Sequence, residues 1–481
     1  MKNKVIVIGL DGATFDIIDP LIARGKLPNL NTIFQNGVKA ELLSTIPPIS
    51  APAWVSFMTG KNPGKHGILG FQYYNLSKYN CVEHSIVNSN VFAQSTIFDI
   101  LTKYNRKSIA FQVPLTYPTW PINGLMVAGY PTPDQTIAYT YPDDLSKKIG
   151  KLYEDKSDHI ASGSIETKLN IYSEGLERIS NTVEKLLKEE DYELFVYVTN
   201  VTDWVQHKFW KHQFNGKNSK NDYINQFYIK IDEKIGNILK LIDKDTTLIV
   251  MSDHGAGTRP EKLLNINYLL REQGFLVPTA KKINIFTKTN RYWFEWVKEF
   301  FPIKYWSKAK FSSSFREMVL NTRVYKNNID WSKTKAYRVP LSYPYVGLNI
   351  NVKSRQKDGI VLPGKEYKEL KQQLYKNFKG FSDKNPDLIK NVFLQEEVYN
   401  GPSSYNTPDI IIELNENYDS GSEVDELITE IPNMLLTTIS GYHRTSGIFG
   451  AMGKNINHNP QLFKFNIIDI APTILYTLNL P

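Results

Sequence analysis

An α/β fold built around a mostly parallel sheet is predicted by three features of the sequence. Short apolar runs of strand length recur along the chain, stretches with helical periodicity separate them, and polar residues with catalytic or metal-ligating chemistry follow them. Residues 4–9 (KVIVIG) read as a buried parallel strand, a continuous apolar run closed by glycine. A helical pattern follows over about 17–36 and ends at Asn36-Gly37, a favourable C-terminal pair. Further strands are expected at Lys107–Val113, Leu194–Thr199 and Thr247–Ser252, with helices at Ser164–Lys188 and Tyr223–Ile242. Val346–Val352 and Asp409–Leu414 are candidate strands of the later part. The segment from Asn466 to Leu478 reads as a helix that packs back on the core. There is no internal repeat and no low-complexity tract.

Composition narrows the class. At about 150 residues per domain, 481 residues correspond to about three units, although large α/β enzymes often build this length around one sheet. A single cysteine, Cys81, excludes a disulfide framework and a thiolate zinc cluster. The excess of 57 basic over 49 acidic residues, +8, suits an anionic substrate and does not imply nucleic acid. Met1-Lys2-Asn3-Lys4 leads directly into five apolar-run residues, too few for a signal-peptide core, and no run of 18 apolar residues occurs. A soluble cytoplasmic enzyme is the expectation.

Residues 260–330 break the strand–helix rhythm. Between Arg291 and Trp306 aromatic residues are dense, and Lys281, Lys282, Lys288, Lys304, Lys308 and Lys310 flank or punctuate them. Three readings fit: an inserted cap over an active site, an amphipathic surface for peripheral contact with anionic lipid through 281–310, or a helical subdomain whose aromatics pack inward.

Five segments carry chemistry. Gly9-Leu10-Asp11-Gly12 puts a carboxylate at the carboxyl end of a parallel strand, where open α/β sheets bind ligands, although Asp-Gly is also a common turn. In Pro47-Pro48-Ile49-Ser50-Ala51-Pro52-Ala53-Trp54 through Gly60, Pro52 is expected at a first helical position and Gly60 beyond the last turn. Ser50 then sits at the helix N-terminus, as a cap or just before it, where free N–H groups favour an anion. Asp203 and His207 lie four residues apart, hence on one helical face, with the spacing to grip one metal. Asp253-His254 leaves a very apolar strand, and burying that pair unpartnered would be costly, so a metal is the economical reading. His443, beside Arg444, adds a further imidazole near the C-terminal end. Together these are oxygen and nitrogen donors suited to two neighbouring zinc-like ions about 4 Å apart.

With those segments in this order, the sequence resembles the type I phosphodiesterase/nucleotide pyrophosphatase family of the alkaline phosphatase superfamily. The most specific matches are Leu10-Asp11-Gly12, the run from Pro47 to Ile68 with Thr59-Gly60-Lys61-Asn62-Pro63-Gly64-Lys65-His66-Gly67, Asp253-His254-Gly255, and His443. The resemblance implies an alkaline-phosphatase-like α/β/α sandwich with a cap-like insertion at 260–330, between core parts 1–259 and 331–481. It implies that Asp11, Ser50, Asp253 and His254 hold one divalent metal, and Asp203, His207 and His443 a second. Zinc is the expected metal, with manganese as the alternative. Ser50 matches the family's nucleophile, which forms a covalent phospho-enzyme that water then hydrolyses.

The implied substrate is a small phosphodiester or pyrophosphate, such as a nucleotide or sugar nucleotide, with phosphomonoester or phosphonate hydrolysis as alternatives on the same fold. Two departures bear on this. Nucleotide pyrophosphatases of the family carry asparagine three residues after the nucleophile, where this chain has Ala53, so a backbone N–H is the expected substitute. Sulfatases of the superfamily need an arginine where this chain has Trp54. Arg444 would pair with a substrate phosphate or form a surface salt bridge. His66 is expected to order its glycine-rich turn, and Asn349 and Asn351 to be structural.

Overall fold

The strand Lys4–Leu10 lies at the middle of a nine-stranded sheet because its apolar residues are buried on both faces. The computed structural model describes residues 3–132, 138–150, 164–214, 222–279, 329–431, 436, 439–454 and 456–481. Of the cap-like insertion expected at 260–330, residues 280–328, with the aromatic and basic stretch 281–310 and its lipid reading, lie outside the described residues; the described part holds the strand Lys262–Asn265 and the helix Ile266–Glu272.

In spatial order the sheet runs Asn459–Asn466, Val38–Leu43, Ser446–Met452, Thr246–Met251, Lys4–Leu10, Leu194–Thr199, Ser108–Val113, Gly124–Ala128 and Thr140–Tyr141. The run from Thr246–Met251 to Gly124–Ala128 is parallel throughout. Ser446–Met452 is antiparallel to both of its neighbours. Register aligns the strand ends. Gly9 pairs with Val198 on one side and Met251 on the other, and Leu10 pairs with Thr199. Three adjacent strands therefore end level, and the residues after them emerge at one edge.

Alternation assigns the faces. Ile6, Ile8 and Leu10 join a core with residues of helices Phe15–Ala23, Pro28–Gln35, Ile165–Glu189 and Tyr223–Leu241. The opposite face receives helix Ser50–Thr59, whose Trp54 lies over Gly9. The helical pattern expected over 17–36 is two helices: the chain turns at Arg24–Leu27, where Gly25 has φ +67°, and Pro28 starts the second. Proline suits that first turn because its missing N–H has no helical partner there. The second helix takes its N-terminal partner from a distance: Asp232 accepts the N–H groups of Asn29 at 3.1 Å and Leu30 at 2.8 Å.

Contacts divide the chain into two compact units, one of residues 1–62, 87–258 and 440–481, the other of 63–86 and 259–439. The sequence-derived division places its boundaries at 259–260 and 330–331, whereas residues 331–439 group with the second unit. There Ala336–Pro340, Tyr345–Ile350, Ile410–Leu414 and Ile389–Leu394 form a four-stranded antiparallel sheet. Helix Lys365–Lys384 packs on it through Leu370, Leu374 and Phe378. Asn351, buried, donates to the carbonyls of Trp331 and Thr334, both at 2.9 Å, a structural use of its amide. His66 Nδ1 accepts the N–H of Ile68 at 3.2 Å and so ties its own loop.

Gly9 links fold to site. A Cβ there would stand 2.4 Å from the Trp54 ring and 2.9 Å from Val198, both fully buried. We predict that Gly9→Ala lowers stability by about 1–3 kcal/mol through overpacking. Urea unfolding of the purified variant measures it.

Candidate functional site

The level strand ends deliver their next residues to one place. Asp11 follows Lys4–Leu10, Asp253-His254 follows Thr246–Met251, and Leu194–Thr199 runs into helix Val201–Phe214, which carries Asp203 and His207. Helix Ser50–Thr59 starts beside them. Ile49 occupies the cap position and Ser50 is the first helical residue, so Pro52 is third rather than first. Proline is tolerated across that turn because the first N–H groups have no intrahelical acceptor. Gly60 closes the helix in the left-handed conformation, as the sequence suggests. His443 arrives on Gly441–Arg444, which pairs antiparallel with Gly255–Thr258.

Two groups of side chains result, Asp11, Asp253 and His254 in one, Asp203, His207 and His443 in the other, with the ligand atoms of each group within 4.8 Å of one another. In the first, His254 Nε2 lies 3.5 Å from Asp11 Oδ1 and 3.4 Å from Asp253 Oδ2, and all three side chains are fully buried. Ser50 Oγ is 3.2 Å from Asp11 Oδ1 and 3.4 Å from His254 Nε2. In the second, His207 Nε2 is 3.2 Å from Asp203 Oδ1 and 3.0 Å from His443 Nε2. The His254 and His443 rings stack at 4.0 Å and join the groups.

The hydrogen-bond chemistry tests whether a cation fits. His207 Nδ1 faces the carbonyl of Gly441 at 2.8 Å, His443 Nδ1 that of Pro48 at 3.0 Å, and His254 Nδ1 that of Gly255 at 2.9 Å. A carbonyl only accepts, so we assign the ring proton to Nδ1 in all three, which leaves each Nε2 a lone pair. Those lone pairs converge with carboxylate oxygens, acceptor against acceptor. Asp253 Oδ2 is buried with no hydrogen bond among the described residues. Such an arrangement fits a divalent cation in each group, bound by nitrogen and oxygen.

In the metal-free chain protons relieve this crowding, on Asp11 and Asp253 in the first group and on His207 beside Asp203 in the second. Burial, then the neighbouring Asp253 and Asp203, holds the Asp11 carboxyl well above its ordinary range. Burial likewise pushes Asp253 up to about 7. At Asp203 burial acts in the same direction, but His207, His443 and His254 outweigh it and bring the carboxyl down. Burial works to lower His207 and Asp203 overcomes it, so His207 rises. His443 falls well below the ordinary imidazole value because burial is joined by His254 and His207.

Other residues hold these side chains in place. Asp11 Oδ2 accepts from Asn200 Nδ2 at 2.6 Å and from Trp54 Nε1 at 3.2 Å, which leaves Oδ1 toward Ser50 and His254. Asp253 Oδ1 accepts the N–H of Gly12 at 3.1 Å. Gly12 has φ +68°, and a Cβ there would stand 3.0 Å from Asp203 Oδ1. Asn200 and Trp54 escape sequence reasoning. Their signals are faint: Asn200 directly follows a strand, and Trp54 lies four residues from Ser50 on one helix. Arg444 donates to the carbonyls of His443 at 2.9 Å and Thr258 at 2.8 Å, fastening the ribbon that carries His443.

Comparison with known proteins fits this geometry into a family. Residues 5–427 match the family described as Type I phosphodiesterase / nucleotide pyrophosphatase, and the chain belongs to it. It is thus a hydrolase acting on phosphoester bonds. No curated protein sequence matches the chain. Among solved structures, phosphonoacetate hydrolase from Sinorhizobium meliloti 1021, in complex with phosphonoformate, superposes with a TM-score of 0.59 at 17% identity, covering 99% of this chain and 95% of that one. Murine ectonucleotide pyrophosphatase / phosphodiesterase 5, an inactive form in complex with AMP, gives 0.50 at 14% identity, over 100% of this chain and 96% of that one. The human protein of that name gives 0.50 at 14%, over 99% and 95%. The fold, a mixed α/β arrangement around a large, mostly parallel sheet, is alkaline-phosphatase-like, as in these neighbours. Among the described residues no helix is long and apolar enough to cross a membrane.

The raised carboxyls predict a proton linkage. Between the ordinary carboxylate pKa and about 7 the folded, metal-free chain holds protons on Asp253 that the unfolded chain has released. This group's contribution to metal-free stability therefore falls as pH rises through that window. A cation must displace those protons, so affinity should rise with pH up to about 7. Zinc titration calorimetry at pH 6 in two buffers of different ionisation enthalpy should show proton release, and Asp253→Asn should release fewer.

Proposed function

We propose that the chain is a two-metal, zinc-type phosphodiesterase or pyrophosphatase that works through a covalent phosphoserine on Ser50. The observation that carries this reading is the position of Ser50 Oγ, 3.2 Å from Asp11 Oδ1 at the start of a buried helix, beside two clusters of carboxylate and imidazole side chains whose ligand atoms lie within 4.8 Å of one another in each cluster. Asp11, Ser50, Asp253 and His254 would hold one cation, and Asp203, His207 and His443 the other. When bound, the cations supply Lewis acidity toward the hydroxyl, water and the leaving oxygen.

The chain's own residues do the rest. Asp11 Oδ1 accepts the Ser50 hydroxyl and so aims the remaining lone pairs of Oγ away from the carboxylate. Attack of Oγ on phosphorus forms the Oγ–P bond and breaks the bond to the leaving oxygen, which departs with the hydroxyl's proton; water then adds its OH to phosphorus, breaks the Oγ–P bond and returns its proton to Oγ. At the helix start Ser50 and Ala51 have N–H groups without intrahelical acceptors, Pro52 has none, and the N–H of Ala53 already bonds Ile49 at 3.2 Å. With alanine at 53, the Ala51 N–H is the proposed contact to a phosphoryl oxygen. Arg444 is assigned a supporting role, because both carbonyls it binds belong to the ribbon.

The substrate is a small phosphorylated molecule: a nucleotide, sugar nucleotide or other phosphodiester. A phosphonate is the second reading, favoured by the likeness to phosphonoacetate hydrolase. We expect the zinc-loaded protein to cleave bis-p-nitrophenyl phosphate faster than p-nitrophenyl phosphate, and Ser50→Ala to lose about 10³-fold or more in kcat while keeping its metal. Preference for the monoester would make it a phosphatase, and turnover of phosphonoacetate alone a phosphonate hydrolase. Near-normal turnover by Ser50→Ala would exclude the nucleophile.

A further inference from the structure

We infer that Thr202 and Gln206 are positioning residues that couple the two ligand groups, so that helix Val201–Phe214 sets the metal affinity of the Asp11 group while presenting the other. This coupling rests on the proposed pair of cations. Residues four apart share one stripe of a helix, and the next residue along starts a neighbouring stripe about 100° away. Asp203 and His207 form one such stripe and belong to the second group. Thr202 and Gln206 form the adjacent stripe and grip the loop of the first. Thr202 Oγ1 donates to the carbonyl of Asp11 at 2.5 Å, and Gln206 Nε2 donates to that of Gly12 at 2.8 Å. Thr202 and Gln206 are 0% and 1% exposed, so these bonds have no water to compete with them.

The grip has its own support. Gln206 Oε1 accepts the hydroxyl of Tyr228 at 3.0 Å, which fixes the amide with its NH₂ toward the loop. The same Tyr228 oxygen accepts the N–H of Thr14 at 3.3 Å. On the other side Ser252 Oγ donates to the carbonyl of Ala13 at 2.9 Å, next to Asp253 in the chain. The loop Asp11–Thr14 is thus held at every residue by a partner on an element that carries a ligand, or by Tyr228 behind it. Gly12 leaves no slack, because a Cβ there would press on Asp203 Oδ1.

The consequence is thermodynamic. A cation on Asp203, His207 and His443 steadies the helix, hence the Asp11 loop, and lowers the ordering cost of the first group. By linkage the effect is reciprocal. Partners that orient metal ligands typically change affinity by about 10–100-fold when removed.

The test is a zinc titration of metal-free protein against a chromophoric chelator, for wild type, Thr202→Val and Thr202→Ser, with thermal melts of each metal-free form. Valine keeps the shape and removes the donor, and serine keeps the donor. We expect two equivalents in wild type, about 10–100-fold weaker binding of one of them in Thr202→Val, and recovery in Thr202→Ser. If Thr202→Val does not fold, Tyr228→Phe, which frees the Gln206 amide, should show the same one-sided loss. A folded Thr202→Val that binds both equivalents as wild type does would overturn the coupling while the two-cation reading stands. A wild type that binds fewer than two equivalents would remove both.

Discussion

Carboxylate oxygens and imidazole nitrogens crowded together in a buried space are the constraint on which the rest of this structure depends. Asp11, Asp253 and Asp203 bring carboxylates into a space toward which three imidazoles, each with Nδ1 on a backbone carbonyl, turn Nε2. Each of these groups is costly to bury alone, and side by side they repel. Burial first, and that repulsion after it, raise the carboxyls of Asp11 and Asp253 and lower His443 in the metal-free chain. A divalent cation in each cluster would resolve it, so the donor set taken together argues for metal more strongly than any single residue does.

The sheet makes the convergence possible in geometry. Three neighbouring parallel strands end level, and each is followed within four residues by a ligand or its helix. The antiparallel ribbon of Gly255–Thr258 and Gly441–Arg444 then brings His443 across from the far end of the chain. Around the ligands lies a layer of neutral donors, Trp54, Asn200, Thr202, Gln206 and the Gly12 N–H, that fixes carboxylates and loop carbonyls without adding charge. Trp54 reaches Asp11 only because Gly9, two residues before it on the strand, has no side chain.

Much of this was legible in the sequence, for local reasons. The buried strands are continuous apolar runs, and Leu194–Thr199 has the bounds its pattern suggests. Asp203 and His207 share a face by helical spacing alone. Other features depend on tertiary contact and left weaker marks. Gly25 and Pro28 signal the break between the first two helices, but apolar periodicity runs through both and hides it. Pro52 reads as a first helical residue, while the helix starts two residues earlier at Ser50. The place of His443 came from family resemblance, since nothing local marks Gly441–Arg444 as a ligand-bearing ribbon. Asn200, Thr202, Gln206 and Tyr228 are ordinary polar residues in a chain with many, and only their direction in space distinguishes them. Residues 331–439 read as a continuation of the core, yet four of their strands, Ala336–Pro340, Tyr345–Ile350, Ile389–Leu394 and Ile410–Leu414, form a sheet of their own, and two more pair with Lys262–Asn265.

Metal stoichiometry tests the central claim most directly: zinc content per chain, measured by mass spectrometry after dialysis, for wild type, Asp253→Ala and Asp203→Ala. Two clusters that each hold a cation predict two equivalents in wild type and a loss in each variant, with the remaining ion held by the intact cluster. A wild-type protein that retains no zinc or manganese, or variants that retain as much as wild type, would contradict the account.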